Sequence, residues 1–166
     1  MVALRLEKGF GVTTQTASTK VLDQIRTVLA AARPDVGWFT HRSDQEPITQ
    51  SELPGVLIRL QRADFTFVEM GAMTEHRALI VFDCFSGMDG VLAIDRVNQD
   101  VIASIVSALE ASDLLGGRVQ SMDPETMDAS EENAPDVGMA VLAYSAVWYT
   151  AIGDFRTLIG RSGQQF

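Results

Sequence analysis

The sequence has few of the residues from which disulfides, metal centres and nucleophilic sites are built. Its 166 residues include a single cysteine, Cys84, and two histidines, His41 and His76. One cysteine rules out an intrachain disulfide, and a chain of this length can bury a core without one. The spacings typical of phosphate loops, dinucleotide folds, serine hydrolases and zinc sites do not occur. We therefore expect a protein without cofactor, metal or enzymatic activity.

Positive charge is also scarce. The chain has 13 Lys and Arg against 22 Asp and Glu, which gives a net charge of −9. Binding DNA through its phosphates requires clustered basic side chains, and the arginines here are scattered. A wide DNA-binding surface is therefore not expected, whereas a passage that repels DNA is compatible with this charge.

Long apolar runs are missing as well. No run reaches the roughly 20 residues of a membrane-spanning helix, and the start "MVALRLEKGF" has no signal-peptide pattern. The length predicts one domain. We expect an N-terminal arm at residues 1–16, a domain at 17–155 and a C-terminal tail at 156–166, with the arm ordered only when a partner holds it.

Two segments have the periodicity of amphipathic helices. Residues 18–35 place apolar side chains on one helical face, with Ser18 or Thr19 as the expected cap and Arg33, before Pro34, as the expected end. Residues 91–113 repeat the pattern.

The rest of the pattern predicts strands. "VGWFTH" is a short candidate strand, and "VLIRLQRADFTFVE" and "HRALIVFDCFSG" are expected to form an antiparallel hairpin. "RVQSM" is another candidate strand, followed by an acidic loop at residues 123–136 and a long final strand. Hairpins without regular alternation of strand and helix predict an α+β fold, with a mostly antiparallel sheet and two helices packed on one face.

The final strand is apolar on both faces, which raises the question of what covers the second one. Val141, Ala143, Val147 and Tyr149 alternate with Ala140, Leu142, Tyr144 and Trp148. A half-buried strand is expected to alternate apolar with polar residues. A second apolar face on a small domain is usually covered by something, which favours self-association.

Cys84 and the acidic segment raise three hypotheses, two about thiol–histidine pairs and one about cation binding. Cys84 and His76 lie eight residues apart in one predicted strand, about 26 Å of extended chain, so they are not expected to meet. Pairing of Cys84 with His41 stays open, although a buried cysteine is the more common case. Cation binding by the acidic segment also stays open, with a solvated loop favoured.

Arginines and flexible-looking segments are the candidate contact surfaces. They are the arginines of the predicted hairpin, the hairpin tip Met70–Thr74, the loop Ser43–Glu52 and the acidic loop. The candidate residues for subunit or partner contacts are Arg59, Arg62, Met70, Gly71, Met73, Arg77, Glu131, Glu132 and Tyr149.

The order of these phrases resembles the tail terminator proteins of long-tailed bacteriophages, the minor tail protein U type. The resemblance runs from about Ser18 to Phe155. It is carried by "VLDQIRTVLAAA", "WFTHR", "ELPGVLIRLQRADF", "HRALIVFDCFSG", "VNQDVIASIVSALEAS" and an acidic segment before "VGMAVLAYSAVWYTAI".

The resemblance implies a homohexameric ring at the tail–neck junction of a virion, assembled in the host cytoplasm. Such a ring caps the tail tube, stops its polymerisation and contacts head-completion or stopper proteins. Double-stranded DNA passes through its lumen without sequence-specific binding, and no membrane is involved. A different head–tail connector or tube subunit is the alternative, and a small ligand-binding or thiol-dependent enzyme domain is the second alternative.

Overall fold

A computed structural model describes residues 15–42, 46–68, 72–87, 94–134 and 137–166. Within these ranges one sheet carries its long helices on a single face. The elements are α1 (Ala17–Ala32), β1 (Gly37–Thr40), a 3₁₀ turn (Gln50–Glu52), β2 (Gly55–Val68), β3 (Met73–Gly87), α2 (Ile94–Ala111), α3 (Asp113–Gly117), β4 (Ser121–Ala134), β5 (Val137–Ala151) and β6 (Leu158–Ile159).

The sheet has the strand order β1-β2-β3-β5-β4, and β6 pairs with β5 beyond the end of β4. β1 and β2 are parallel, and the other pairs are antiparallel. The predicted α+β fold with a mostly antiparallel sheet is thus confirmed. The parallel β1–β2 pair was not predicted, because period-2 patterns do not carry strand direction.

Helix α1 packs its apolar stripe against β1, β2 and α2. It begins two or three residues earlier than predicted, because the cap is Thr16 rather than Ser18 or Thr19. The Thr16 side chain accepts a hydrogen bond from the Thr19 amide at 3.3 Å. The helix ends before Arg33, as Pro34 predicts.

Helix α2 crosses β3 and β5 and buries Val101, Ile102, Ile105 and Leu109. Its first turn lies directly on Gly138. A Cβ atom at Gly138 would sit 1.9 Å from Cγ2 of Ile94, so the close approach of α2 to β5 requires glycine there.

The helix-covered side of the sheet, called here the inner face, forms the core. Register places side chains of β2, β3 and β5 in matched rows on this face, such as Ile58, Phe82 and Leu142. All three are at most 3% exposed. Tyr144 and Trp148 extend the core along β5, so the even-numbered residues of β5 bury the first of its two apolar faces.

The short element α3 is one turn of left-handed backbone. Asp113, Leu114 and Leu115 have φ of 47°, 54° and 59°, and two glycines with positive φ follow. Left-handed backbone costs a non-glycine residue about 1–2 kcal/mol. Leu115 is fully buried, and its burial offsets part of that cost. This turn was not predicted from the sequence.

The predicted acidic loop is wrong: residues from Ser121 to Ala134 form strand β4. Asp, Glu, Asn and Pro disfavour strands, and the prediction followed that preference. Pairing with the long apolar β5 overrides it. β4 is an edge strand, where charges and proline are tolerated, and the register shifts next to Pro124. The strand predicted at "RVQSM" begins only at Ser121.

Residues after Phe155 pack on the same core. β6 pairs with Tyr149 and Thr150 of β5, and Leu158 is fully buried. The backbone oxygen of Phe166 accepts a hydrogen bond of 2.9 Å from Nζ of Lys20 in α1. Of the expected N-terminal arm, residues 1–14 lie outside the described residues.

Candidate assembly interface

The side of the sheet opposite the helices, called here the outer face, holds four of the predicted contact residues. Directly paired residues of antiparallel strands point to the same side. Three strands therefore place successive rows on this face. They are Arg59–Val81–Ala143, Arg62–Leu79–Ser145, Asp64–Arg77–Val147 and Thr66–Glu75–Tyr149.

The second apolar face of β5 lies on the outer face of the sheet and is only partly covered within one chain. Ala143 is 7% exposed, whereas Val141, Val147 and Tyr149 keep intermediate exposure. No described helix packs on this side. A neighbouring molecule has a half-covered apolar surface to bury here.

Arg59 covers a buried carboxylate on the outer face. Its Nε donates to Oδ2 of Asp83 at 2.6 Å. The Asp83 side chain is 3% exposed and that of Arg59 is 45% exposed. Because a buried carboxylate needs compensating donors, this pair has a structural role as well as an exposed guanidinium edge.

A second hydrogen-bond network on the outer face joins Arg77, Glu75 and Tyr149, near the end of the sheet where β3 begins. Nε of Arg77 donates to Glu75 at 2.6 Å, and the Tyr149 hydroxyl donates to the same carboxylate at 3.0 Å. These bonds, the Arg77 bond first, lower the pKa of Glu75, while the bond to Glu75 raises the pKa of Tyr149. The Arg77 side chain is 68% exposed, so its remaining N–H groups are open to a partner.

Arg62 is the most exposed of the three arginines. It contacts Asp64 at 3.0 Å, with side chains 73% and 58% exposed. An ion pair this exposed contributes at most about 1 kcal/mol to stability. Arg62 is therefore available for an intermolecular contact at little cost to the fold.

Both edges of the sheet offer unpaired backbone groups. β2 pairs with β1 from Gly55 to Ile58, and no described strand lies against the same edge from Arg59 to Val68. β4 pairs with β5, and its other edge faces no strand within the described ranges. A long free edge is a template for pairing with another strand.

The two edges differ in charge. On β4, Asp123, Glu125 and Asp128 are exposed and make no ion pair with a described residue. Asp123 and Asp128 point to the outer face through their register with β5. On the opposite side, β2 presents Arg59 and Arg62, with Arg77 of β3 beside them. Each arginine already has a carboxylate of its own chain, so the β2 side offers guanidinium donors rather than a large net charge.

The remaining predicted contact residues are only partly described. Met73 is the first residue of β3 and pairs with Val68 and Ala151. Met70 and Gly71 lie outside the described residues. Glu131 and Glu132 lie in β4, but their side chains also lie outside the described part of the chain.

The predicted contact loop is held by an ion pair in the part that is described. Arg42 donates to both carboxylate oxygens of Glu52, at 3.0 and 3.1 Å. These bonds, together with those from Thr49, lower the pKa of Glu52 to about 2. Residues 43–45 lie outside the described residues. The segment from Glu46 to Glu52 therefore has a defined shape rather than that of an unstructured loop.

The geometry gives no support to the thiol hypotheses. Cys84 is 1% exposed, and burial raises the pKa of its thiol to about 12, so the reactive thiolate is strongly disfavoured. His76 lies in the same strand, eight residues away, as expected. His41 lies at the surface, 3.2 Å from Asp23. No group of His, Cys, Asp or Glu suited to a metal occurs among the described residues.

An aromatic cluster at the far end of the inner face was not predicted from the sequence. Phe65 and Phe155 make edge-to-face contacts with the His76 ring, with centroids 5.0 and 5.3 Å away, and His76 stacks on Trp148. His76 is 1% exposed, and burial lowers its pKa. Its Nε2 lies 2.8 Å from the Thr150 hydroxyl. Phe65 and Phe67 lie two residues apart in β2, and this spacing is the feature of the sequence that could have predicted the cluster.

Comparisons with known proteins identify a shared fold. No protein-family model matches the sequence, and no curated protein is similar to it. Solved structures do match. One is a chain from the structure described as "Virion of native gene transfer agent (GTA) particle", with 17% sequence identity and a TM-score of 0.50. The match covers 84% of this chain and 98% of that one. None of the described helices is long and apolar enough to span a membrane.

Proposed function

We propose that this chain is a structural protein of a phage-like particle that assembles as a homohexameric ring at the end of a tail tube. In this role it terminates tube polymerisation and provides the surface on which head-completion proteins dock. The proposal needs no catalytic group, and it uses the outer face and the two free sheet edges.

The observation that carries the proposal is the pair of unpaired edges at opposite ends of one sheet. A contact between β4 of one copy and β2 of the next uses two different surfaces, so it is heterologous. Copies joined in this way form a ring when the rotation from one copy to the next closes the circle. β4 brings exposed carboxylates, and β2 brings Arg59 and Arg62. Like charges would oppose β4–β4 pairing, whereas the β2 side offers guanidinium donors to the β4 carboxylates, which favours the head-to-tail arrangement.

Two likenesses support the particle setting. The fold is shared with a chain of a gene transfer agent virion over nearly the whole length of that chain. The order of sequence phrases independently resembles phage tail terminators. A shared fold alone does not define a function, so the hexameric state, the tube partner and the neck position are proposed here.

The net charge of −9 suits the proposed lumen. A ring that neutralised phosphates would hold DNA, whereas a ring with excess carboxylates lets DNA slide through. We propose that double-stranded DNA passes this ring without sequence-specific contact.

The edge contact is tested by charge exchange between the two edges. Arg62→Glu and Asp128→Arg each reverse one exposed charge, and each is expected to weaken the ring in light scattering after size exclusion. An equimolar mixture of the two variants restores opposite charges at every contact when the copies alternate. The mixture, and the double variant within one chain, are therefore expected to recover the ring.

Arg26→Glu is the matched control, because it makes the same charge change on the exposed surface of α1. It should leave assembly unchanged. Single variants that assemble like the wild type, or a mixture that does not recover, would show that β2 and β4 do not meet.

The alternative functions, a different head–tail connector or a tube subunit, are compared with a terminator by the extent of assembly. A tube subunit polymerises into long tubes, whereas a terminator stops at one ring, and negative-stain images separate the two. A thiol-dependent activity instead requires rapid labelling of Cys84 in the native state, which its burial opposes.

A further inference from the structure

Both edge strands of the sheet place exposed apolar side chains on the inner face. Met122, Pro124 and Met127 of β4 pair with even-numbered residues of β5, which point to that face. Phe65 and Phe67 of β2 lie on the same face through their register with β3 and β5. Met127, Phe65 and Phe67 are 59%, 57% and 59% exposed. Large apolar side chains exposed on strands with a free edge mark a surface that another molecule covers.

The outer faces of the same two strands carry charges of opposite sign. Asp128 of β4 is exposed, and the Arg62 side chain of β2 is 73% exposed. When β4 of one copy joins β2 of the next with both inner faces on one side, Met127 comes beside Phe65 and Asp128 comes beside Arg62. The inverted joining would place Asp128 beside the aromatic rings, which removes water from a charge without pairing it. A second copy of this chain in the first orientation is therefore complementary on both faces.

The strand order fixes the direction of such a contact. β2 pairs antiparallel with β3, β3 with β5, and β5 with β4. β2 and β4 therefore run in opposite directions within one chain. Copies joined edge to edge with their inner faces on one side keep these directions, so β4 and the β2 strand of the next copy are antiparallel.

Charge then selects one register among those that keep the faces aligned. In this register Asp128 lies opposite Arg62, and Met127 lies opposite Ala63. A shift of two residues towards the hairpin tip brings Asp128 opposite Asp64, where like charges repel. A shift in the other direction moves Met127 past the bulge beside Arg62, away from the aromatic rings. It also moves β4 towards β1, which already occupies that edge of β2.

We propose that β4 of one copy adds to β2 of the next as an antiparallel strand, with Met127 packed over Ala63 and against Phe65. Ala63 leaves room for the longer side chain, and Phe65 is its diagonal neighbour, within the reach of an aromatic ring. A thioether beside an aromatic ring is a favourable contact. This inference rests on the proposed function, which supplies the contact between copies, and adds its direction, register and apolar face.

Disulfide trapping in the full chain tests the register. Met127→Cys is combined in turn with Ala63→Cys, Phe65→Cys or Asp64→Cys, and mild oxidation is followed on non-reducing gels. β2 and β4 of one chain are three strand spacings apart, about 14 Å, so a disulfide joins only different copies. The Ala63 pair is expected to form a ladder of up to six joined copies at least tenfold faster than the Asp64 pair. Cys84 is buried and does not compete.

The outcomes separate this inference from the proposed ring. Fastest crosslinking by the Phe65 pair would overturn the register, and fastest crosslinking by the Asp64 pair would overturn the alignment of the faces. A ring in which the Ala63 pair does not crosslink would overturn the inference and leave the ring standing. A wild-type chain that stays monomeric would overturn the proposed function and this inference with it.

A charge on the inner face gives a second readout that needs no crosslink. Met127→Asp is expected to raise the dissociation constant of assembly at least tenfold, because it places a carboxylate against Phe65. Ile152→Asp is the matched control, since Ile152 is 44% exposed and lies outside both edge strands. It should assemble like the wild type. Light scattering at several concentrations measures both variants, and circular dichroism verifies that they fold. Equal effects of the two substitutions would contradict the proposal.

Discussion

The two faces of β5 come from one alternating apolar sequence, yet they have different surroundings. Along the inner face, Tyr144, Ala146 and Trp148 are at most 1% exposed beneath the helices and the chain that follows β5. Along the outer face, Val141, Val147 and Tyr149 are only half-buried. Hydrophobicity alone does not distinguish these faces. The inner face therefore supplies most of the stability of one chain, and the outer face has apolar area left for another.

The largest contrast is expected between neighbouring residues on opposite faces. Trp148→Ala should lower the free energy of unfolding by about 3–5 kcal/mol, because it leaves a large cavity. Tyr149→Ala removes a half-buried ring and its bond to Glu75, and should cost about 1–2 kcal/mol. Urea unfolding monitored by circular dichroism measures both. Equal losses would mean that the outer face is as much a core as the inner one.

The arginines of the outer face provide a second contrast. Arg59→Met removes the guanidinium from a carboxylate that is 3% exposed, and should cost about 1–2 kcal/mol after allowing for the exposure of Arg59. Arg62→Met breaks a solvated pair and should cost less than about 0.5 kcal/mol. The same unfolding assay compares them. A reversed order would remove the structural role assigned to Arg59.

Tyr144 is the inner-face residue whose substitution is expected to preserve or raise stability. Its hydroxyl is buried and has no hydrogen-bond partner among the described residues. Tyr144→Phe removes this unsatisfied group, so we expect stability to be unchanged or raised by up to about 1 kcal/mol. Thermal unfolding is the measurement. A clear loss of stability would reveal a partner for the hydroxyl.

The smallest effect is expected from pH. Burial lowers the pKa of His76, so folding favours its neutral form. Stability should be full above about pH 6.5, the usual histidine value, and decline as pH falls from there towards the lowered folded pKa. His76→Gln should flatten this part of the curve. Glu75, whose pKa is also lowered, acts in a separate window below 4.5. An unchanged slope in the variant would assign the decline to other groups.

The sequence predicted the regular elements because their periodicity is strong. Val21, Leu22 and Ile25 mark a helix, and the alternation from Val56 onwards marks a strand. It failed where tertiary contacts override local preference. Strand β4 exists because β5 pairs with it, despite its acidic composition. The left-handed turn at Leu114 and Leu115 exists because Leu115 enters the core. Neither cause is visible in a short window of sequence.

The candidate interface was predictable to a similar extent. Arg59, Arg62 and Arg77 were predicted as arginines of the hairpin and Tyr149 as part of the final strand, and register brings all four onto one face. Their intramolecular partners, Asp83 and Glu75, were not foreseen, since pairing across strands depends on register that a sequence does not specify. Whether these residues meet a neighbour stays a prediction.

The proposed ring is tested by the native mass of the purified protein, measured by light scattering after size exclusion, with negative-stain images of the same peak. We expect a closed ring with six times the 18.1 kDa mass of one chain. A monodisperse monomer that persists at high concentration would contradict it, because the outer face and both sheet edges would then remain uncovered.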